Sequence, residues 1–148
     1  MKNLRSVSFI VVLLATVFAV AAKGKAETGK VVTLNKAEFL AKVYNYEKNR
    51  DQWVYEGNKP CIIDFYADWC APCRQIATTM AELAAEYKDD IVIYKVNIDN
   101  EPELKNLLGI RSIPYILFVP VKGKPQMAIG ALPKELLTKH ITGILLSE

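Results

Sequence analysis

Two cysteines separated by two residues are the groups in this sequence best suited to chemistry. Cys70 and Cys73 have a spacing that occurs both in zinc sites and in dithiols that exchange disulfides. Zinc normally takes four ligands, and the chain adds only Cys61 and, far away, His140. We therefore expect no metal site and interpret the pair as redox-capable.

The position of the pair favours this interpretation. It follows an almost continuously apolar run, Cys61 to Ala67, and opens a segment with helical spacing. Unpaired N–H groups and the dipole at a helix N-terminus stabilise an anion, so we expect the pKa of the Cys70 thiol to lie below its free value of about 8.5. Cys73 lies one turn further on and is expected to be deeper, where it can attack a mixed disulfide at Cys70. Pro72 suits the first turn of the helix.

A carboxylate inside the apolar run is the second unusual feature. Burial would raise the pKa of Asp64 and make it a proton carrier near neutral pH, whereas at a strand end it would simply reach solvent. It precedes Cys73 by nine residues, so it could lie beneath that thiol. Lys95, in another apolar strand, is the expected partner of Asp64 if the strands are neighbours; otherwise its ammonium group extends to the surface.

A proline directly before an apolar strand is the third feature. Ile113-Pro114 suits a cis peptide bond, although an ordinary trans turn is the common alternative. Such a turn would present the Ile113 backbone for strand-like pairing with a substrate peptide.

These residues require a framework of alternating strands and helices. The order β-α-β-α-β-α-β-β-α predicts an α/β protein, a central mixed sheet with helices on both faces. The expected strands are 31–34, 61–67, 91–96, 115–119 and 126–129. The expected helices begin at Asn35, after Cys70, at Glu101 and at Pro133.

Three side chains outside this constellation are expected to have structural roles. Trp53 and Tyr55, in a polar loop over residues 48–59, more often cover a core edge than bind a partner. Cys61 is expected to be a buried and inert thiol. His140 is interpreted as a surface residue without a catalytic role.

The N-terminus has the pattern of a secretory signal peptide. Basic residues precede an apolar stretch, Phe9 to Ala22, and Ala19-Val20-Ala21 resembles a cleavage site. We predict a signal peptide over residues 1–21, a flexible leader over 22–30 and one domain over 31–148. The alternative is an uncleaved anchor, but the run is short for a membrane span. The mature protein is expected to be periplasmic or secreted, where disulfides persist.

Composition excludes several other classes of protein. The 148 residues carry a formal charge of +3, and without residues 1–21 the charge is 17−16 = +1, so no nucleic-acid partner is indicated. The 51% apolar content argues against intrinsic disorder. Three cysteines are too few for a disulfide scaffold.

Four motifs in this order resemble the thioredoxin family over essentially the whole mature chain. They are Asp64 to Cys73 (DFYADWCAPC), Lys95 to Asp99 (KVNID), Gly109 to Pro114 (GIRSIP) and Gly130 to Leu132 (GAL). The resemblance implies the thioredoxin fold and dithiol–disulfide exchange by a Cys70–Cys73 disulfide, with Cys70 as nucleophile and Cys73 as resolving thiol. It also implies that Asp64 is the buried acid/base, that Lys95 tunes it, and that Pro114 is cis.

The resemblance further implies an apolar surface that contacts disulfide-containing client proteins. We also expect no cofactor and a monomeric chain. The residues that we assign to it are Trp69, Ala71, Pro72, Ile113, Pro114, Gly130 and Ala131. Departures from the family are Ala71 in place of the usual Gly, Tyr66 in place of a typical Trp, Thr78 in place of a helix-kinking proline, and a longer 48–59 loop. These departures affect redox potential and partner choice rather than the chemistry.

The direction of exchange follows from the residues between the cysteines. A histidine there would stabilise the thiolate and make a strong oxidant, but Ala71 and Pro72 carry no charge. We therefore expect an extracytoplasmic reductant or isomerase that receives electrons from a membrane-embedded or other thiol donor. The alternatives are a reductase dedicated to apocytochrome or another single client, and a binding module whose cysteines are incidental.

Overall fold

The computed structural model describes residues 29–147, and the predicted order of elements is confirmed. The strands are β1 (Val31–Thr33), β2 (Cys61–Tyr66), β3 (Val92–Asn97), β4 (Tyr115–Val119) and β5 (Gln126–Ile129). The helices are α1 (Lys36–Lys42), α2 (Ala71–Glu86), α3 (Pro102–Leu107) and α4 (Lys134–His140), and a π-helical turn (Ile141–Leu145) continues α4. The predicted signal peptide and the leader up to residue 28 lie outside the described residues.

The five described strands form one mixed sheet in the order β1-β3-β2-β4-β5. β3 runs parallel to β1 and β2, while β4 is antiparallel to both β2 and β5. β2 is therefore central and has neighbours on both edges, which accounts for its continuously apolar sequence. The carboxyl end of β2 leads directly to Cys70.

Helices cover both faces of the sheet, as predicted. Successive residues of β2 point to opposite faces, so the strand contributes to two apolar cores. One core packs Cys61, Ile63 and Phe65 with α1 and α3; the other packs Ile62 with α2 and α4. α2 runs without interruption through Thr78 and buries one stripe of side chains. That stripe consists of Cys73, Ile76, Met80, Leu83 and Ala84.

The start of α1 confirms the capping pattern read from the sequence. The Asn35 side chain accepts a hydrogen bond from the Glu38 N–H at 2.9 Å, and the Glu38 carboxylate accepts one from the Asn35 N–H at 3.1 Å. This reciprocal pair satisfies two N–H groups that the first turn leaves without helical partners. It fixes where α1 begins, directly after β1.

The 48–59 loop folds back over the edge of the core, as predicted. Trp53 stacks on Tyr44 with ring centroids 4.4 Å apart. The Tyr55 hydroxyl donates to the Lys59 carbonyl oxygen at 2.5 Å, and its ring passes directly over Gly57. A Cβ atom at Gly57 would overlap the Tyr55 hydroxyl. The aromatic residues of this loop therefore pack within the fold.

Candidate functional site

The two cysteines of the motif stand at the start of α2 and are joined by a disulfide. Cys70 is the N-cap residue, and its Sγ accepts a hydrogen bond from the Cys73 N–H at 3.2 Å. Pro72 occupies the first turn, where its missing N–H costs no helical hydrogen bond. The helix thus directs a backbone donor at Cys70 Sγ, and this arrangement suits a thiolate once the disulfide is reduced.

The predicted difference in depth between the two cysteines is not found in this disulfide form. Cys70 and Cys73 are both 3% exposed. The disulfide draws the sulfur atoms together across one helical turn, so neither residue is more accessible than its partner. The prediction that Cys73 lies deeper is therefore wrong for the oxidised protein.

Asp64 is buried beneath this helix, as its place in the apolar run predicted. Only 6% of the residue is exposed, and its Oδ1 atom has no hydrogen-bond partner. Burial raises the pKa of the carboxyl to about 7, although the charge of Lys95 opposes this rise. Asp64 can therefore take up or release a proton near neutral pH.

Lys95 lies beside Asp64 but does not form the ion pair that the sequence suggested. The two residues are register neighbours on the parallel strands β2 and β3. The Lys95 ammonium group instead lies 5.5 Å from the centroid of the Tyr66 ring. None of the salt bridges within residues 29–147 includes Lys95. The aromatic face provides this cation with an alternative to the carboxylate.

A cavity of about 150 Å³ connects these groups to the cysteine pair. Its lining includes Asp64 and Lys95 from the sheet and Cys73 from the first turn of α2. The same lining contains Tyr66, Ala67, Asp68, Arg74 and Ala77. The nine-residue spacing between Asp64 and Cys73 thus places the acid beneath the second thiol, as predicted.

The predicted contact surface is exposed at most of its positions. Trp69 is 68% exposed, and Ala71, Pro72 and Ala131 are also exposed. Ile113 and Gly130 are half-buried.

Pro114, which was also assigned to this surface, is buried and directly precedes β4. The Ile113–Pro114 peptide bond is cis, as predicted. The Pro114 carbonyl oxygen accepts a hydrogen bond from the Gly130 N–H at 2.8 Å, a bond that joins the start of β4 to the end of β5.

A hydrogen-bonded network behind Trp69 was missed by the sequence analysis. The indole N–H donates to the Asp99 carboxylate at 2.8 Å, and the Asp99 N–H donates to the Asn97 side-chain oxygen at 3.0 Å. The Asn97 amide in turn donates to the Asp68 carboxylate at 3.2 Å. The polar residues at and just beyond the carboxyl ends of β2 and β3 were the available signal, since the carboxyl ends of neighbouring parallel strands meet at one edge of the sheet.

The remaining thiol and the histidine lie outside this constellation. Cys61 is fully buried on the opposite face of β2, where burial raises the pKa of its thiol to about 12. The His140 ring packs at a tilt against Phe118 with ring centroids 4.8 Å apart, and its Nδ1 atom is 2.8 Å from the Leu136 carbonyl oxygen. Among residues 29–147, no cluster of three His, Cys, Asp or Glu side chains is arranged to hold a metal ion.

A cysteine pair at the start of a helix, directly after the central strand of a mixed sheet, defines a protein of the dithiol–disulfide exchange class. Comparison with known proteins supports this class. A sequence model of thioredoxin matches residues 30–143. A thioredoxin of Borreliella burgdorferi is 39% identical over 104 residues, covering 70% of this chain and 88% of that protein.

Two further relatives extend the comparison to chloroplasts. The M-type thioredoxin of Spinacia oleracea is 42% identical over 90 residues, covering 61% of this chain and 50% of that protein. The crystal structure of chloroplastic thioredoxin z has a TM-score of 0.65 and 25% identity, covering 78% of this chain and 94% of that chain. This chain spans about half the length of the Spinacia relative, but most of the Borreliella thioredoxin. The chain belongs to the thioredoxin family and is a thiol–disulfide oxidoreductase.

Proposed function

We propose that this chain reduces or isomerises disulfides of client proteins outside the cytoplasm, with Cys70 and Cys73 as its reacting groups. One observation carries the proposal. The Cys70–Cys73 pair lies at the N-terminus of α2, with the Cys73 N–H directed at Cys70 Sγ and the Asp64 cavity beneath. Nucleophile, backbone donor and buried acid/base are thus assembled at one end of the central strand.

The first step forms a mixed disulfide. In the reduced protein the Cys70 thiolate attacks one sulfur of the client disulfide, and the Cys70–client S–S bond forms as the client bond breaks. The released client sulfur leaves as a thiolate and takes a proton. The exposed Trp69 indole beside Cys70 supplies apolar area against which a client segment can pack.

The second step releases the client. The Cys73 thiol gives its proton to the Asp64 carboxylate, and the resulting thiolate attacks Cys70 Sγ. A Cys70–Cys73 bond forms, the mixed disulfide breaks, and the client leaves with its second sulfur reduced. The client gains two electrons and this chain loses two. An external thiol donor must return them before the next cycle.

The extracytoplasmic location rests on the sequence of the N-terminus. Basic residues, an apolar stretch and Ala19-Val20-Ala21 have the order of a cleaved signal peptide. We infer that the mature chain works in the periplasm or after secretion, as a monomer, with a membrane-embedded or other thiol donor. N-terminal sequencing of the protein recovered from the periplasmic fraction tests this, with residue 22 as the expected first residue. A cytoplasmic protein that retains Met1 would contradict it.

The direction of exchange is tested by the reduction potential of the pair. Because Ala71 and Pro72 offer the Cys70 thiolate no charge, we expect a reduction potential of about −270 mV, the thioredoxin range. A strong periplasmic oxidant would have a potential of about −120 mV. Equilibration with glutathione buffers of known ratio gives this potential. A Cys73→Ala variant that traps mixed disulfides shows whether many clients or a single client accumulates.

An insulin-reduction assay with dithiothreitol as electron donor tests the exchange activity itself. Replacing the nucleophile by Cys70→Ser is expected to lower the rate to that of dithiothreitol alone. Cys61→Ala is the matched control, because it removes a buried thiol on the other face of β2 and is expected to keep the wild-type rate. A Cys70→Ser variant that retains activity, or a wild-type chain without any, would overturn the proposal.

A further inference from the structure

We propose that Tyr66 is a positioning residue of this site, and that its ring holds the Lys95 ammonium group away from the Asp64 carboxylate. The inference rests on the proposed exchange function, since it concerns the group that receives the Cys73 proton. Tyr66 is one of the positions at which this chain departs from its family. The structure gives that departure a specific role.

The strand geometry brings the three side chains to one face of the sheet. Asp64 and Tyr66 are two residues apart on β2 and therefore point to the same side. Lys95 stands directly across from Asp64 on β3. From that position a lysine side chain can reach either the carboxylate or the aromatic ring. In the structure it reaches the ring, with Nζ 5.5 Å from the ring centroid.

Among the groups around Asp64, Lys95 is the one whose position determines the electrostatic effect on the carboxyl. On α2 and the loop before it, the charged groups that line the shared cavity are Asp68 and Arg74. The Arg74 guanidinium donates to the Asp68 carbonyl oxygen at 2.8 Å, while the Asp68 carboxylate accepts from Asn97. On the β4 side, the register neighbour of Asp64 is the apolar Ile116. The charge that acts on the pKa of Asp64 is that of Lys95.

The Asp64 carboxylate would be stabilised by a nearby cation, but the same cation would make it a weaker base. Its Oδ1 atom has no hydrogen-bond partner, so an ammonium group at contact distance would satisfy it and favour the ionised form. A carboxylate held ionised in that way is a weaker base for the Cys73 thiol. The Tyr66 ring competes for the same cation. It thereby keeps Asp64 a stronger base, with a pKa close to neutral.

A double-mutant cycle on the oxidised protein tests this role. The pKa of the Asp64 carboxyl is measured by NMR titration in chains carrying Tyr66→Leu or Tyr66→Phe, each with Lys95 present and with Lys95→Met. With Lys95 present, Tyr66→Leu is expected to lower the pKa by about one unit or more, because the cation is free to approach the carboxylate. Tyr66→Phe keeps the ring and is expected to leave the pKa close to that of the wild type.

The Lys95→Met background separates positioning from simple packing. Loss of the ring also admits water to the cavity, and that effect does not depend on Lys95. We expect Tyr66→Leu to shift the pKa by less than half as much in the Lys95→Met background. An equal shift in both backgrounds, or no shift with Lys95 present, would overturn the proposal. Should Tyr66→Leu fail to fold, Tyr66→Met removes the ring with less loss of volume.

The same variants in the insulin assay distinguish this inference from the proposed function. Positioning predicts that the pH profile of insulin reduction moves to lower pH in Tyr66→Leu and remains unchanged in Tyr66→Phe. If the wild-type chain does not reduce insulin, the proposed function fails while the pKa cycle can still be measured. If it does reduce insulin and the cycle shows no coupling between Tyr66 and Lys95, only the positioning role fails.

Discussion

The two faces of strand β2 differ sharply although their residues alternate along the same six positions. One face carries Cys61, Ile63 and Phe65, all fully buried in an apolar core. The other begins with the buried Ile62 but continues with Asp64 and Tyr66 at the end nearest the cysteine pair. A single strand thus separates a face that lies wholly in the core from a face whose last two residues line the cavity next to Cys73.

The comparison also shows what the site costs the fold. Burial of an apolar side chain stabilises the folded protein, whereas burial of a carboxylate without a hydrogen-bond partner destabilises it. Substitutions on the first face should therefore lower the stability of the protein. Removing the charge on the second face should raise it.

Phe65→Ala is expected to have the largest effect, on the first face. The Phe65 ring contacts Tyr115, with centroids 5.8 Å apart, and Phe39, at 6.4 Å. Its loss leaves a cavity that these neighbours cannot fill, so the free energy of unfolding should fall by about 3–5 kcal/mol. Urea denaturation of the oxidised protein measures this fall. Phe65→Leu is the matched control and should lower the free energy of unfolding by less. A fall below about 1 kcal/mol for Phe65→Ala would contradict the assignment of this face to the core.

Asp64→Asn is expected to act in the opposite direction and with a pH dependence. Below about pH 3 the carboxyl is neutral in both the folded and the unfolded protein, so its ionisation adds nothing to the difference in stability between the variant and the wild type. As pH rises from 4 to 7 the unfolded carboxyl ionises first, because its folded pKa is raised from 3.8 to about 7, and the wild type loses stability.

The size of this effect follows from the difference in pKa. The folded and unfolded pKa values differ by 7 − 3.8 = about 3.2. Above pH 7 this difference lowers the free energy of unfolding of the wild type by at most about 4 kcal/mol. The buried asparagine amide also lacks a hydrogen-bond partner, so we expect Asp64→Asn to raise the free energy of unfolding at pH 8 by only about 2 kcal/mol. Denaturation curves at pH 4 and pH 8 measure it, with the exposed Asp89→Asn as control. A variant that is no more stable than the wild type at pH 8 would contradict the burial argument.

Cys61→Ala is expected to have the smallest effect on stability and tests whether the first face contributes to the fold alone. Removal of one buried sulfur should lower the free energy of unfolding by about 1 kcal/mol at pH 7, without loss of insulin reduction. The wild type should also lose stability between pH 9 and 12, because the folded thiol has a pKa of about 12 against 9.0. The variant should lose less over this range. Tyr94, whose pKa is also raised to about 12, accounts for part of the loss that remains.

Much of the fold could be predicted because its local patterns agree with its tertiary contacts. The continuous apolar run of β2 fits a strand with neighbours on both edges, and the Asn35 and Glu38 pair marks the start of α1. The π-helical turn at Ile141–Leu145 could not be predicted, since its apolar spacing is compatible with an ordinary α-helix. The position of Asp64 beneath Cys73 followed from its place in a buried strand, nine positions before Cys73 in the next helix.

The details that escaped prediction depend on side-chain positions rather than on sequence spacing. Neighbouring strands bring Lys95 beside Asp64, but the position of its ammonium group over the Tyr66 ring depends on the side-chain conformation. Pro114 was assigned to the contact surface by family resemblance, and its burial depends on the packing at the start of β4. The bond from Trp69 to Asp99 joins residues 30 apart in sequence, and their pairing requires knowledge of which strands are adjacent.

The contact between Tyr55 and Gly57 limits how the 48–59 loop can vary in evolution. Gly57 does not have the left-handed backbone conformation that favours glycine, so its backbone alone would tolerate any residue. Any added side chain must nevertheless displace the phenol ring, which lies against the buried Cys61 thiol. A substitution at Gly57 would therefore disturb the packing that covers the third thiol of this chain, Cys61.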